Sequence, residues 1–217
     1  MEKPAIIVAR ELVNYIKKNS DLQLIQPKEC EYKNHIGALF TDIILQSGVN
    51  YRTVVAPRVK FVLEMYPIAF SVENFFSTIN EYGIENVLQW NHAVKLQRMI
   101  DLLHFCRQNN LNTSVDVQHF LLTYSNQILF LSINGIGYKT LDYLLKLMNI
   151  ETVAVDRHIY SFVEKAGIIS KDYLFVKTVV EYAADLMGVS RRSIDYSIWS
   201  YMSNESSSKS KQLSLCF

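Results

Sequence analysis

Two residues, Lys139 and Asp156, stand in surroundings that suit chemistry. Lys139 follows the turn Asn134-Gly135-Ile136-Gly137 by two positions, and the residues after it, TLDYLLKL, have the spacing of an amphipathic helix. Glycines allow a left-handed turn and leave backbone N–H groups bare where a helix begins, and the helix dipole there favours an anion such as a phosphate. The same dipole disfavours the ammonium form of a lysine in the first turn, and a neutral lysine amine is a nucleophile. Asp156 ends the apolar run TVAV and opens DRHIYSFVEKAG. A carboxylate so placed can stabilise positive charge that develops in a transition state. Each residue also has an ordinary reading: Lys139 can pair with Asp142 at i, i+3, and Asp156 can cap its helix.

The elements that must hold these residues read as helices. Apolar residues recur at three- and four-residue spacing: Leu12, Tyr15, Ile16; Ile36, Leu39, Phe40, Ile43, Ile44; Val59, Val62, Leu63, Tyr66. No sustained alternation of strand type appears. On either side of the hairpin, residues 125–132 and 138–148 read as two helices, the second burying Leu141, Leu144, Leu145 and Met148. Ser71, Thr113 or Ser114, and Asp156 read as helix starts, Gly83 as a break and Gly167 as a stop. Together these signals predict about ten to twelve helices, an all-α chain. The stretch SNESSSKSK, Ser203 to Lys211, reads as a flexible linker before the apolar end QLSLCF.

Composition narrows the classes. The 217 residues, 49% hydrophobic and 20% charged, suffice for one large or two small globular domains with a real core. No apolar run approaches the ~20 residues a bilayer requires. Glu2 and Glu11 fall where a signal peptide would be apolar, so an intracellular protein of the cytoplasm or nucleoid, away from membranes, is expected. Cys30, Cys106 and Cys216 lie far apart without CxxC or Cys/His spacing, so buried free thiols are expected, with no disulfide framework, metal site or cofactor. A net charge of +1 leaves room for a nucleic-acid surface only as a local patch.

The hairpin pattern Leu-x-x-x-Gly-Ile-Gly-x-Lys and the downstream Val-Asp-Arg-His-Ile, taken together, resemble the helix-hairpin-helix (HhH-GPD) DNA glycosylase superfamily. The resemblance implies that the hairpin, with Asn134, Gly135 and Gly137, grips DNA phosphates. It implies that Lys139 stands where bifunctional members carry a lysine nucleophile, that Asp156 is the catalytic aspartate, and that Arg157 beside it contacts the backbone. ALFTDIILQSGVNYRTVVAPRVKFVLEMYP, Ala38 to Pro67, is similar to the family's first conserved helix pair. The loop of that pair supplies a polar residue that enters the duplex beside the flipped base, which points to Gln46, with Asn50 and Arg52 near it. GIENVLQWNHAVKLQRMIDLLHFC is similar to the segment in which a lysine follows a short turn, and places Lys95 there. SIDYSIWSYM, with GIGYK and DRHI, is similar to compact archaeal-type 8-oxoguanine glycosylases that lack an iron–sulfur cluster. The chain departs from that subgroup at Thr140, Leu141, Asp142 and Tyr143, where a Ser-His-Phe pattern is usual, and ends on Phe217 in place of a lysine.

The implied architecture is one helical subdomain over residues 34–150 and a second made of residues 1–33 with 151–217, including a C-terminal tail, with DNA crossing the cleft between them. The implied function is a monomeric base-excision DNA glycosylase with AP-lyase activity on double-stranded DNA holding a damaged base or abasic site, 8-oxoguanine being the expected base. Two alternatives stay open: a glycosylase for a modified or mismatched pyrimidine, and a non-catalytic helix-hairpin-helix module that binds DNA through the hairpin alone. The second has no reason to keep the lysine–aspartate pair. His158, Trp90 and Trp199 are expected to pack structurally. The end, with Leu213, Leu215, Cys216 and Phe217, either frays or folds back toward a base pocket.

Overall fold

The computed structural model describes residues 3–18 and 21–214, with side chains to residue 204. Twelve α-helices run through the described residues: α1 (Ala5–Lys18), α2 (Ile36–Leu45), α3 (Ala56–Met65), α4 (Val72–Tyr82), α5 (Ile84–Leu88), α6 (Ala93–Gln108), α7 (Ser114–Leu121), α8 (Tyr124–Leu131), α9 (Tyr138–Leu147), α10 (Arg157–Lys165), α11 (Tyr173–Met187) and α12 (Arg191–Ser214). A π-helical turn, Tyr51–Val55, leads into α3. No strand occurs among the described residues, and none of their helices is long and apolar enough to cross a membrane. The chain divides into two compact units, Glu29–Ile150 and Met1–Lys28 with Glu151–Phe217.

In the unit of residues 29–150, α2 is the central element. Every residue from Ile36 to Leu45 is buried, because α3, α4, α6 and α9 all pack on it. A helix that is mostly apolar and packed on all sides belongs inside a bundle. Its start is capped by His35, whose Nδ1 accepts the Ala38 N–H at 3.0 Å while Nε2 lies 3.1 Å from the Tyr66 carbonyl oxygen. An accepting Nδ1 and a donating Nε2 describe the neutral ring. Ser71 caps α4 by accepting the Asn74 N–H at 3.2 Å, and Thr113 with Asp116 forms a capping box on α7. Phe130 of α8 is buried and meets Phe105 of α6 edge-on at 5.7 Å. That contact ties the first helix of the hairpin to the bundle. The second, α9, buries Leu141, Leu144 and Leu145, each contributing roughly 1.5–3 kcal/mol by removal from water.

The other unit packs α1 along α11 and α12 against α10 and α11. Its core includes Leu12, Ile16, Phe162, Val176, Val180, Ile194 and Ile198. The run Thr152 to Val155, which leads into α10, is buried as well. The Ala154 N–H donates to the buried Asp195 carboxylate at 2.7 Å, and the Val155 N–H donates to the Tyr173 hydroxyl at 3.2 Å. These bonds fix the segment that delivers Asp156.

One expectation is corrected here. Ser203 to Lys211, read as a linker, forms part of α12, which continues to Ser214. The stretch holds no glycine or proline, and elongating a helix already formed costs only the small propensity deficit of each serine. Leu215, Cys216 and Phe217, the heart of the expected tail, lie outside the described residues.

Candidate active site and hairpin

The hairpin joins α8 to α9 through a turn anchored by two isoleucines. Ile133 and Ile136 are buried, and the Ile136 N–H closes the turn on the Ile133 carbonyl at 3.0 Å. Asn134, Gly135 and Gly137 are exposed. The two glycines differ in what they do. Gly135 has φ +78°, the left-handed region that favours glycine. Gly137 is extended, with φ −112° and ψ 179°, and a Cβ there would meet open space. Its service is to leave the start of α9 bare: it is the N-cap, and no side chain caps that helix. The first-turn N–H groups of a helix lack intrahelical partners, so this exposed end suits an anion.

Lys139 is half-buried in the first turn of α9. The ordinary pairing with Asp142 is not made: among the described residues Lys139 has no ion pair, and Asp142 is itself buried at 1% exposure. Four residues on, along the same face of α9, stands Tyr143.

Arg98, on α6, is a residue that the sequence reading missed. Its guanidinium lies against the hairpin in the space a side chain at Gly135 would fill. Its Nε is buried without a hydrogen-bond partner. No local pattern marks it, because the contact joins α6 to a turn far along the chain.

The loop after α2 gathers Gln46, Asn50 and Arg52. Gln46 ends α2, its N–H donating to the Asp42 carbonyl at 3.1 Å, and its Nε2 is buried without a partner. Asn50 is exposed and caps the π-helical turn by accepting the Thr53 N–H at 3.1 Å, and Arg52 is exposed. Lys95 reaches this loop from α6. Its ammonium donates to the carbonyls of Leu45 and Ser47 at 2.6 and 2.7 Å and sits 4.8 Å from the Trp90 ring centre. Burial, then the nearby Arg98 charge, lowers its pKa. Two of its three donors are thus spent on the chain itself. A second cation, the Arg58 guanidinium, lies over the Trp90 ring at 5.2 Å from its centre.

In the other unit, Asp156 is half-buried at the start of α10, where its Oδ1 accepts the N–H groups of His158 at 2.8 Å and Ile159 at 3.0 Å. The capping reading is therefore realised, and both bonds fall on one oxygen. Arg157 is exposed. His158 lies edge-on to Trp199 at 6.5 Å, and Trp199 stacks with the exposed Tyr196 at 5.9 Å. No group of three or more His, Cys, Asp or Glu side chains among the described residues is arranged to hold a metal ion.

Residues 125–203, a span that includes the hairpin, Lys139 and Asp156, match a family described as a domain of unknown function (DUF8548). No curated protein matches the chain. Among solved structures, the chain is similar to the crystal structure of the H. pylori 3-methyladenine DNA glycosylase MagIII bound to 1,N6-ethenoadenine. The TM-score is 0.49 and the sequence identity 18%, over 95% of this chain and 99% of that one.

Proposed function

We propose that this chain is a base-excision DNA glycosylase with AP-lyase activity, acting on oxidised guanine in double-stranded DNA. The observation that carries the reading is the hairpin: a left-handed Gly135 turn, a helix start at Gly137 with no side-chain cap, and Lys139 in the first turn without an ion partner among the described residues. The exposed amides hold a backbone phosphate and so set the register of the duplex. Extruding the target nucleotide costs a few kcal/mol of lost stacking and pairing, offset by Gln46 entering the gap.

Once it has given up a proton, the Lys139 Nζ forms a bond to C1′ as the bond from C1′ to the base breaks. The base leaves with the electron pair and takes up a proton. Asp156, through the carboxylate oxygen its helix does not use, stabilises the positive charge on the sugar. The resulting aminal loses its bond to the ring oxygen and becomes an imine. Removal of a C2′ proton then expels the 3′ phosphate and nicks the strand, and water releases the lysine.

Borohydride reduction of the imine is the test. Wild type, mixed with a duplex holding an abasic site, should give a covalent adduct, and Lys139→Gln should give none while still binding the duplex. An adduct from Lys139→Gln at wild-type yield removes Lys139 as the nucleophile. Neither adduct nor base release from wild type, with duplex binding intact, leaves a module that binds through the hairpin alone. Base release from a panel of oxidised and mismatched bases separates oxidised guanine from a modified pyrimidine.

A further inference from the structure

The turn between α3 and α4 displays large apolar side chains that the chemistry above does not use. Met65, which ends α3, is 60% exposed, and Ile68 and Phe70, in the turn itself, are 62% and 53% exposed. Ala69 between them is fully buried beside Gly37, so the chain alternates around it and sends its two large neighbours outward. Tyr66 extends the patch: its ring meets Phe61 edge-on at 6.0 Å and meets Tyr82, itself 49% exposed, at 5.5 Å. Single apolar side chains on a surface are ordinary, but a contiguous group marks a place that something covers.

The backbone that carries these side chains is pinned through its carbonyls. Tyr66 accepts the Ala69 N–H at 2.9 Å and meets His35 Nε2 at 3.1 Å, and Ile68 accepts the Asn74 side-chain amide at 2.9 Å. Ala69 and Phe70 accept the N–H groups of Gly37 at 2.9 Å and Ile36 at 3.4 Å. These bonds tie the turn to the start of α2, the buried centre of the unit, and to the first turn of α4. Ile68 and Phe70 therefore stand on a fixed frame, and covering them costs little ordering of the chain.

Charge decides what covers them. From Val59 to Asn91, a run that spans the patch, the chain has one lysine, Lys60, and no arginine, against four exposed glutamates, Glu64, Glu73, Glu81 and Glu85. Glu64 directly precedes Met65, and a hydrogen bond to the Glu81 carboxylate raises the pKa of the Tyr82 phenol. Lys60 pairs with Glu64 at 3.6 Å and Arg107 of α6 with Glu73 at 2.8 Å, which leaves Glu81 and Glu85 without an ion pair among the described residues. An acidic face repels a phosphate backbone. A two-fold contact of this face with itself would set glutamates against glutamates, so a second copy of the chain fits it poorly.

We infer that the α3–α4 turn, with Tyr66 and Tyr82, is a docking surface for a separate protein that brings apolar anchors flanked by lysine or arginine. Ile68 and Phe70 form the centre of the contact. Glu64 and Glu81 form its rim, where charge sets partner choice and association rate more than affinity. The inference goes beyond the glycosylase reading and does not rest on it, because none of these residues has a role in that chemistry.

A library of random linear peptides, selected on the full wild-type chain and counter-selected on the double variant Ile68→Ser with Phe70→Ser, tests it. Enriched peptides should combine large apolar residues with lysine or arginine, and should shift the Ile68 methyl signal in the NMR spectrum of isoleucine-labelled protein. They should bind the serine variant roughly ten-fold or more weakly. The double variant Glu64→Lys with Glu81→Lys, which leaves the apolar anchors in place, should turn the selection toward peptides rich in aspartate or glutamate. Both variants should keep the wild-type melting temperature and imine trapping. The inference falls if no peptide depends on Ile68 and Phe70, or if acidic and basic peptides are enriched alike on wild type. A wild-type dimer in sedimentation that the serine variant disperses also overturns it, and assigns the surface to a second copy. A wild type that traps no imine and releases no base overturns the glycosylase reading alone, since the selection reads binding and not chemistry.

Discussion

The Arg98 guanidinium occupies the space that a side chain at Gly135 would need, so one residue of α6 and one residue of the hairpin are sterically matched. Gly135 is required by its φ of +78°, whereas the contact is relieved when the flexible Arg98 side chain swings aside. Gly135→Ala should destabilise the protein by about 1–3 kcal/mol, read as a lower urea midpoint, because the left-handed backbone is strained with any side chain. Gly137→Leu should leave the midpoint near wild type, since its backbone is extended and open space surrounds it. The added side chain should nevertheless weaken binding to all duplexes alike. Equal loss of stability in the two variants would show that both glycines serve the turn, and that neither serves a ligand.

Arg98 brings a positive charge to the hairpin turn at Gly135, and among the described residues it has no ion pair or hydrogen bond. If it shares the phosphate held by the hairpin amides, Arg98→Met keeps the packing against Gly135 and removes one released counterion. The slope of log affinity against log salt should then fall by about 0.9 on an undamaged duplex. Gly137→Leu acts on the same phosphate, so the double variant should lose less affinity than the two single losses combined. Additive losses would place Arg98 elsewhere on the DNA, or off it.

Asp156 caps α10 and is the proposed catalytic carboxylate, and the two roles separate by substitution. Asp156→Ser keeps an oxygen for the His158 and Ile159 amides, whereas Asp156→Ala does not and should cost about 0.5–2 kcal/mol of stability. Both variants should lose base release by orders of magnitude in single-turnover assays. Activity that follows the melting temperature, retained in Ser and lost in Ala, would reduce Asp156 to a cap.

The helices and the hairpin were legible because their signals are local. The apolar spacing of α9, Ser71 and Thr113 as caps, and Gly83 and Gly167 at helix ends all lie within a turn of what they control. Histidine is a rare N-cap, so His35 carried no such signal, although its ring does the work of a serine. The serine run misled because composition describes an isolated segment, whereas this one extends a helix already nucleated by Ile194 and Ile198 in the core. Arg98 on Gly135, and Tyr32, Tyr51 and Tyr143 on Asp42, were illegible for a different reason. They join residues far apart in the chain, from loops and helices whose proximity only packing decides. Lys95 was expected at the DNA from a resemblance in sequence, and its contacts with the Leu45 and Ser47 carbonyls of another element carried no local signal.

Asp42 makes a prediction about pH in which two effects compete. Three phenols, Tyr32 at 2.5 Å, Tyr51 at 3.3 Å and Tyr143 at 3.2 Å, donate to it and favour the carboxylate, and burial disfavours it; burial prevails, and the carboxyl is raised from 3.8 to about 6. The neighbouring groups do not titrate in that range: burial pushes Tyr51 up to about 12 and Cys30 up to about 11, and raises Tyr32 and Tyr143 as well. A group whose folded pKa is raised holds its proton in the folded protein at a pH where the unfolded chain has released it. Its stabilising contribution is thus fully present below about pH 3.8 and is lost as pH rises through about 6. A shift of about two units corresponds to roughly 3 kcal/mol. Asp42→Asn removes this proton and keeps the shape. Wild type should therefore gain on the variant by about 2–3 kcal/mol between roughly pH 7.5 and pH 4, read from urea midpoints. His35, whose pKa burial lowers, contributes in the opposite direction, but it is present in both proteins and cancels from the difference. A difference of the opposite sign would mean that the phenols outweigh burial and that Asp42 is held as a carboxylate well into acid.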